Sequence, residues 1–340
     1  MSSKKVRLPI RARLDGQLLT VDVGGVHGCW ISPFIGKESL VAAIGLVAGF
    51  ATGVNFPERT TITLSIEEAV PQELVNAIEK YRRFGGKHTF EVDCRKKFSR
   101  VKSVPGSVLL FSGGKDSVAQ ALRLRDGREN LSLLYVGGSL GNAEWLREIT
   151  HARKTAGLMQ MPLYEVMTSH ASYSEIPFRV PQRTIWRNIL LLLLASQLGS
   201  KVYIGNTRDR KFQKKWKKVP ARPEYYEYAY HYADAPPVQR ALANAFSIEI
   251  VQGPSEAENL KYLRREHPQI LSACCWCVAP QPCDNQMDPK TWCPKCKTRF
   301  LLDALEAGGE VPGWARSFAN ENVWMGDDDI SEALGFFDDE

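Results

Sequence analysis

The sequence predicts an α/β protein: a parallel sheet with helices on both faces, carrying a C-terminal cysteine knuckle and preceded by a smaller α+β region. Three observations predict it. From Ser107 to about residue 205, short apolar runs alternate with longer helical patterns, the order of βαβ units. Ahead of residue 105 the order is mixed, without strict alternation, as in an α+β arrangement. Six of the eight cysteines crowd into Cys274 to Cys296, which in a chain without a secretory signal points to metal rather than disulfides.

Alternating apolar and basic residues over 5–13, followed by the apolar run 18–23, predict a hairpin. The stretch 39–56 carries no charge, but it is glycine-interrupted and shorter than the ~20 predominantly apolar residues of a spanning helix. A buried helix over about 38–50 is expected instead, then a strand over 60–66, a helix opening near Pro71 and a strand over 88–92. The basic, Pro- and Gly-containing stretch 95–106 reads as a linker, so the chain divides into 1–104, 105–313 and an acidic tail, 314–340. Beyond the linker the pattern predicts strands over 107–111, 131–136, 163–167 and 201–205, with helices over 116–124, 143–156 and 182–198.

The net charge of +6 hides an asymmetry. Seven of the 38 acidic residues lie in Met325 to Glu340, which leaves 44 basic residues against 31 acidic ones elsewhere. Such a basic body suits an anionic ligand: a nucleotide, a nucleotide-like substrate or nucleic acid. Met1 to Arg13 is polar and basic with no apolar core for a signal peptide, so the expected location is the cytoplasm, without a membrane span.

The sharpest functional signal is Ser112-Gly113-Gly114-Lys115-Asp116-Ser117, between the apolar run 107–111 and a helical pattern. A strand, glycine turn and helix start present backbone N–H groups and the positive end of a helix dipole to one point, which suits a phosphate. The Walker-type loop is excluded, because no glycine stands five residues before Gly114 and Asp116 occupies the place of its Ser or Thr. An aspartate among phosphate donors repels the ligand unless a cation intervenes, so Asp116 reads as a magnesium ligand.

This motif resembles the SGGxDS signature of the N-type ATP pyrophosphatases, the PP-loop superfamily with its adenine nucleotide alpha hydrolase-like fold. The resemblance implies that Ser112, Gly113, Gly114, Lys115 and Ser117 surround the phosphates of ATP and that Asp116 holds Mg2+. It implies adenylation of a substrate oxygen with release of pyrophosphate.

The cysteines Cys274, Cys275, Cys277, Cys283, Cys293 and Cys296 offer six thiols where tetrahedral Zn2+ takes four. Cys275, Cys283, Cys293 and Cys296 are the expected ligands of a structural knuckle over 274–299, with Cys274 or Cys277 able to replace either of the first two. Together with Val180-Pro181 ahead of Arg183 and Arg187, and with Cys296-Lys297-Thr298-Arg299, the pattern resembles 7-cyano-7-deazaguanine synthase over about residues 107–308. That family adenylates a 7-carboxy-7-deazaguanine carboxylate, aminates it and dehydrates the amide to a nitrile. Asp116, Ser117, Arg187 and Asp209 are the expected catalytic residues.

Lys290 stands where the family has a further cysteine, the segment after Gly205 is more basic, and an N-terminal region is added. Extended proteins of this kind resemble homologues in bacterial antiphage defence systems, which leaves the acceptor open: ammonia, or an amine of a partner in a defence complex. A homodimer is compatible with the pattern.

Arg183 and Arg187 share a helix face, where they reach a phosphate or a carboxylate, or form a basic stripe. Asp209 is either a second metal ligand or catalytic acid, or the ion-pair partner of Arg208 and Arg210. The basic run 208–222, with Phe212 and Trp216, suits a lid or a solvated surface better than a nucleic-acid groove. The tyrosines between 225 and 232 fit a stacking pocket or a half-buried strand. Two other functions stay open: base adenylation by a tRNA-modifying PP-loop enzyme, and a non-catalytic nucleotide-binding component of a complex.

Overall fold

Backbone alternation builds the N-terminal region. Strand β1 (Lys4–Asp15) turns its odd-numbered residues Arg7, Pro9, Arg11 and Arg13 outward and buries Leu8, Ile10 and Ala12. It pairs antiparallel with β2 (Leu18–Val23), as the hairpin pattern predicted, and β2 pairs antiparallel with β3 (Val26–Ile31). The turn between β2 and β3 is Gly24-Gly25, both at positive φ (61° and 91°), the backbone that a two-residue hairpin requires. The computed structural model describes residues 4–31, 38–53, 56, 60–80, 89–101, 104–127, 129–137, 143–168, 192–204, 241, 243–254 and 256–275.

Helix α1 (Glu38–Gly53) takes in most of the charge-free stretch and packs on β1, β2 and β4 (Thr60–Ile66). A Cβ at Gly49 would lie 2.3 Å from Ile10 Cδ1, so its glycine face lets the helix lie close on the sheet. Among the described residues no helix is long and apolar enough to cross a membrane. Strand β4 runs parallel to β1, and after β5 (Val70–Pro71) and α2 (Gln72–Lys80) the chain returns as β6 (Thr89–Cys94), parallel to β4. The stretch read as a linker contains β7 (Lys97–Phe98), which pairs with β5 in a small separate sheet.

The second region follows the predicted alternation closely. Its elements are β8 (Ser107–Leu110), α3 (Lys115–Asp126), β9 (Leu131–Gly137), α4 (Ala143–Met159), β10 (Leu163–Thr168) and β11 (Lys201–Ile204). They continue with β12 (Glu249–Gln252), α5 (Glu256–Glu266) and α6 (Pro268–Ala273), which the sequence pattern did not reveal. Residues 192–195 are helical, within the helix expected over 182–198. All neighbouring pairs in the order β12-β11-β8-β9-β10 are parallel. The strand order therefore reverses between β8 and β11, the switch point at which ligands of such sheets bind beyond the carboxyl ends of the strands.

Period-two alternation divides the core. Val108, Leu134, Val136 and Val202 face one side and pack with 192–195 and 241–248, while Leu109, Leu133, Tyr135 and Tyr203 face the other and pack with α3, α4, α5 and α6. Helices thus cover both faces. Strand β3 pairs antiparallel with the end of β10, so one ten-stranded sheet runs through both regions, and the core of the first face continues into the N-terminal region.

Candidate functional site

The turn after β8 is held in place before any ligand is considered. Phe111 N–H donates to Leu134 O at 2.8 Å, which continues the β9 pairing into the loop. Gly113 has φ +71°, and a Cβ there would lie 2.6 Å from the backbone nitrogen of Ala152 in α4. Only glycine meets both conditions, left-handed backbone and direct approach of a helix backbone. On the other side, Cys275 N–H donates to Gly113 O at 2.8 Å, and Cys275 bridges Gly114 as a parallel strand pair. The same corner is tied together by His151, whose Nδ1 lies 3.0 Å from Ala273 O.

The serines brace the turn from inside. The Ser117 hydroxyl donates to Gly114 O at 3.0 Å and its oxygen lies 3.4 Å from Ser112 N. Gly114 N–H points at Ser112 Oγ, 3.4 Å away. Gly114 is the N-cap of α3 and offers no side-chain cap, so the positive end of a twelve-residue helix opens onto the loop with its first hydrogen bond running from Val118 N–H to Gly114 O.

Lys115 is 6% exposed and its Nζ lies 3.1 Å from Asp116 Oδ2, so the two charges of the loop offset each other. The other carboxylate oxygen, Oδ1, accepts from Asn259 Nδ2 of α5 at 3.3 Å. Asn259 is fully buried, and its own Oδ1 has no hydrogen-bond partner among the described residues. The same holds for Oε1 of Gln120, one helical turn beyond Asp116 and 5% exposed. Each such buried acceptor costs about 1–3 kcal/mol if nothing donates to it. Gln120 abuts Gly253 at the end of β12, where a Cβ would lie 2.2 Å from Oε1.

Carboxylate and amide oxygens are the donor set of a hard divalent cation such as magnesium, so Asp116 and its neighbours fit the ion expected there. The loop, the cap and Asp116 can hold an anion and a cation side by side.

Of the expected site residues, Ser112 to Ser117 and Cys275 are brought together here. Cys274 points elsewhere: it is 1% exposed in the core, and its thiol donates to Ile270 O at 3.4 Å. Arg187, Asp209, Cys283, Cys293 and Cys296 lie outside the described residues, as do Arg183, Cys277, the basic run 208–222, the tyrosines of 225–232 and the acidic tail. Among the described residues no three His, Cys, Asp or Glu side chains gather as a metal site. Sequence reasoning did not find Asn259, Gln120 or Gly253, and no local signal marks them: Asn259 is 143 positions from its partner.

The fold and loop define an α/β protein with a five-stranded parallel sheet of Rossmann-like order and an anion-suited turn at its switch point. No protein-family model matches the chain, and no curated protein matches it.

Proposed function

We propose that this chain is a PP-loop enzyme that uses ATP and Mg2+ to adenylate the carboxylate of a 7-carboxy-7-deazaguanine-type substrate, releasing pyrophosphate, and passes the acyl group to a nitrogen nucleophile. The observation that carries the reading is the Ser112 to Ser117 turn, which opens an uncapped helix at the strand-order reversal.

A carboxylate is a poor electrophile because its negative charge opposes attack. In the proposed step its oxygen bonds to the α-phosphorus, the bond to the bridging oxygen breaks, and pyrophosphate leaves with the electron pair. The nitrogen nucleophile then bonds to the acyl carbon, AMP departs with the electrons of the acyl–oxygen bond, and the nitrogen gives up a proton. The turn and the α3 N-terminus bind the leaving phosphates, where preorganised donors act at a site of developing charge. Bound magnesium supplies charge neutralisation on the phosphates. Arg187 and Asp209 keep their expected catalytic roles, and Cys275, Cys283, Cys293 and Cys296 would hold a structural zinc. Cys275 is favoured over Cys274 because the latter's thiol belongs to the core.

The test is mass spectrometry of products after incubating the full chain with ATP, Mg2+ and 7-carboxy-7-deazaguanine, with and without ammonium. The expected products are an amide or nitrile with ammonium, or an adduct on a protein amine. Recovery of unchanged substrate under every condition contradicts the reading.

A further inference from the structure

Two buried amide oxygens beside the glycine turn have no hydrogen-bond partner among the described residues. Asn259 lies on α5 and Gln120 on α3, helices that pack together, and Gln120 shares a face with Asp116 four residues earlier. A carboxylate only accepts hydrogen bonds, so Asp116 orients the Asn259 amide with its nitrogen toward Oδ1. That orientation fixes Asn259 Oδ1 as the atom without a donor among the described residues, and Gln120 Oε1 is the second. Both belong to side chains more than nine-tenths buried.

Bound water or a ligand can supply that donor. Magnesium-like ions dehydrate reluctantly and keep several waters, each of which donates two hydrogen bonds. We infer that Asn259 is a positioning residue for Asp116, and that its Oδ1 and Gln120 Oε1 accept hydrogen bonds from the water shell of a divalent cation held at that carboxylate. The inference rests on the proposed nucleotide site and adds to it how the cation is held. Groups behind the primary ligands commonly set metal affinity in this way.

The experiment is titration of the full chain with Mn2+ alone, without nucleotide, followed by electron paramagnetic resonance. Wild-type protein is expected to bind the ion and Asp116→Asn to lose it. Asn259→Leu should weaken binding by about 10–100-fold with little change in Tm, because the lost hydrogen bond to Asp116 is offset by removal of a buried oxygen that lacks a partner among the described residues. Asn259→Gln keeps both the donating nitrogen and an acceptor oxygen and should bind Mn2+ more tightly than Asn259→Leu does. A purely structural role predicts the opposite for Asn259→Leu: lower Tm and unchanged Mn2+ affinity. That result, or a wild-type protein that binds no Mn2+, overturns the inference. ATP binding measured on the same preparations separates the two proposals. ATP bound with no effect of Asn259→Leu on Mn2+ removes only this inference, whereas the Mn2+ pattern without ATP binding removes only the proposed function.

Discussion

The two ends of the parallel sheet treat their polar groups in opposite ways: mostly half-buried or exposed and largely paired at one end, buried with unpartnered acceptors among the described residues at the other. At the amino end, the Glu129 carboxylate accepts from Ser107 Oγ at 2.7 Å, Tyr203 OH at 2.8 Å and Lys201 Nζ at 3.1 Å. The hydrogen bonds from Ser107 and Tyr203, aided by Lys201 and only partly opposed by burial, hold Glu129 below the usual carboxylate range. Nearby, Tyr262 OH donates to Asp126 at 2.8 Å and lies 3.1 Å from His267 Nε2, and burial followed by Asp126 pushes its phenol up to about 12. Even Arg123, whose Nε lacks a partner among the described residues, lies 3.9 Å over the Tyr262 ring and donates to Glu258 O. At the carboxyl end, Asn259 and Gln120 keep unpartnered acceptors and α3 starts without a side-chain cap. A largely paired network holds a fold together, while buried acceptors without a donor are where the proposed ligand would act.

The contrast has consequences that differ by end. The largest is expected at Asp116: Asp116→Asn should lower AMP formation by about 10²–10³-fold or more, the scale seen when one charge-stabilising group is lost, while circular dichroism and Tm stay near wild type. A large loss of Tm would move Asp116 to the structural class.

Gly113→Ala combines left-handed backbone strain of about 1–2 kcal/mol with overpacking against α4 of about 1–3 kcal/mol. It should lower both stability, read by urea unfolding, and ATP affinity, since α4 and the turn share this contact. Unchanged stability would show that the turn sits further from α4 than described.

Removal of the proposed zinc is expected to act at a distance. Cys275 clamps Gly113 through its backbone, so extracting a metal bound in the cysteine knuckle should loosen the turn and weaken ATP binding about tenfold. Calorimetry before and after chelation, with metal content measured, reads this directly, and equal affinities with the metal gone would uncouple knuckle and turn.

The smallest effect belongs to the amino end. Glu129→Gln should cost about 1 kcal/mol of stability and leave ATP binding unchanged. Because the folded pKa of Glu129 is depressed, its contribution is present above the unfolded value of about 4.3 and is lost as pH falls through the lower folded value. The stability gap between wild type and variant should therefore be steady near neutrality and close on acidification below about pH 4. A gap that widens there would reverse the sign assigned to Glu129.

The sequence showed the elements whose pattern is local and missed those defined by distant partners. Strands β1, β2, β4, β8 and β9 were legible because their inward residues alternate or run as apolar blocks bounded by turn residues. Strand β3 contains Gly28 and shows no alternation, β5 and β7 are two residues each, and β12 carries Glu249 and Gln252 where β8 has an apolar block. The pairing of β3 with β10 depends on contacts across more than a hundred residues, so a continuous ten-stranded sheet had no local signature.

The site divides the same way. The motif from Ser112 to Ser117 identified itself, and its glycines announced a tight turn. The reason for Gly113, the backbone of α4, is tertiary, as is the hold of Asn259 on Asp116. The role of Cys275 lies in its backbone N–H, which no reading of side-chain spacing detects.

The central claim, that the carboxyl end of this sheet cleaves ATP at its inner phosphate, is tested most directly with ATP labelled at the α-phosphate, incubated with the full chain, Mg2+ and the deazaguanine carboxylate. Labelled AMP together with unlabelled pyrophosphate is the predicted result. Labelled ADP with unlabelled inorganic phosphate would contradict the account.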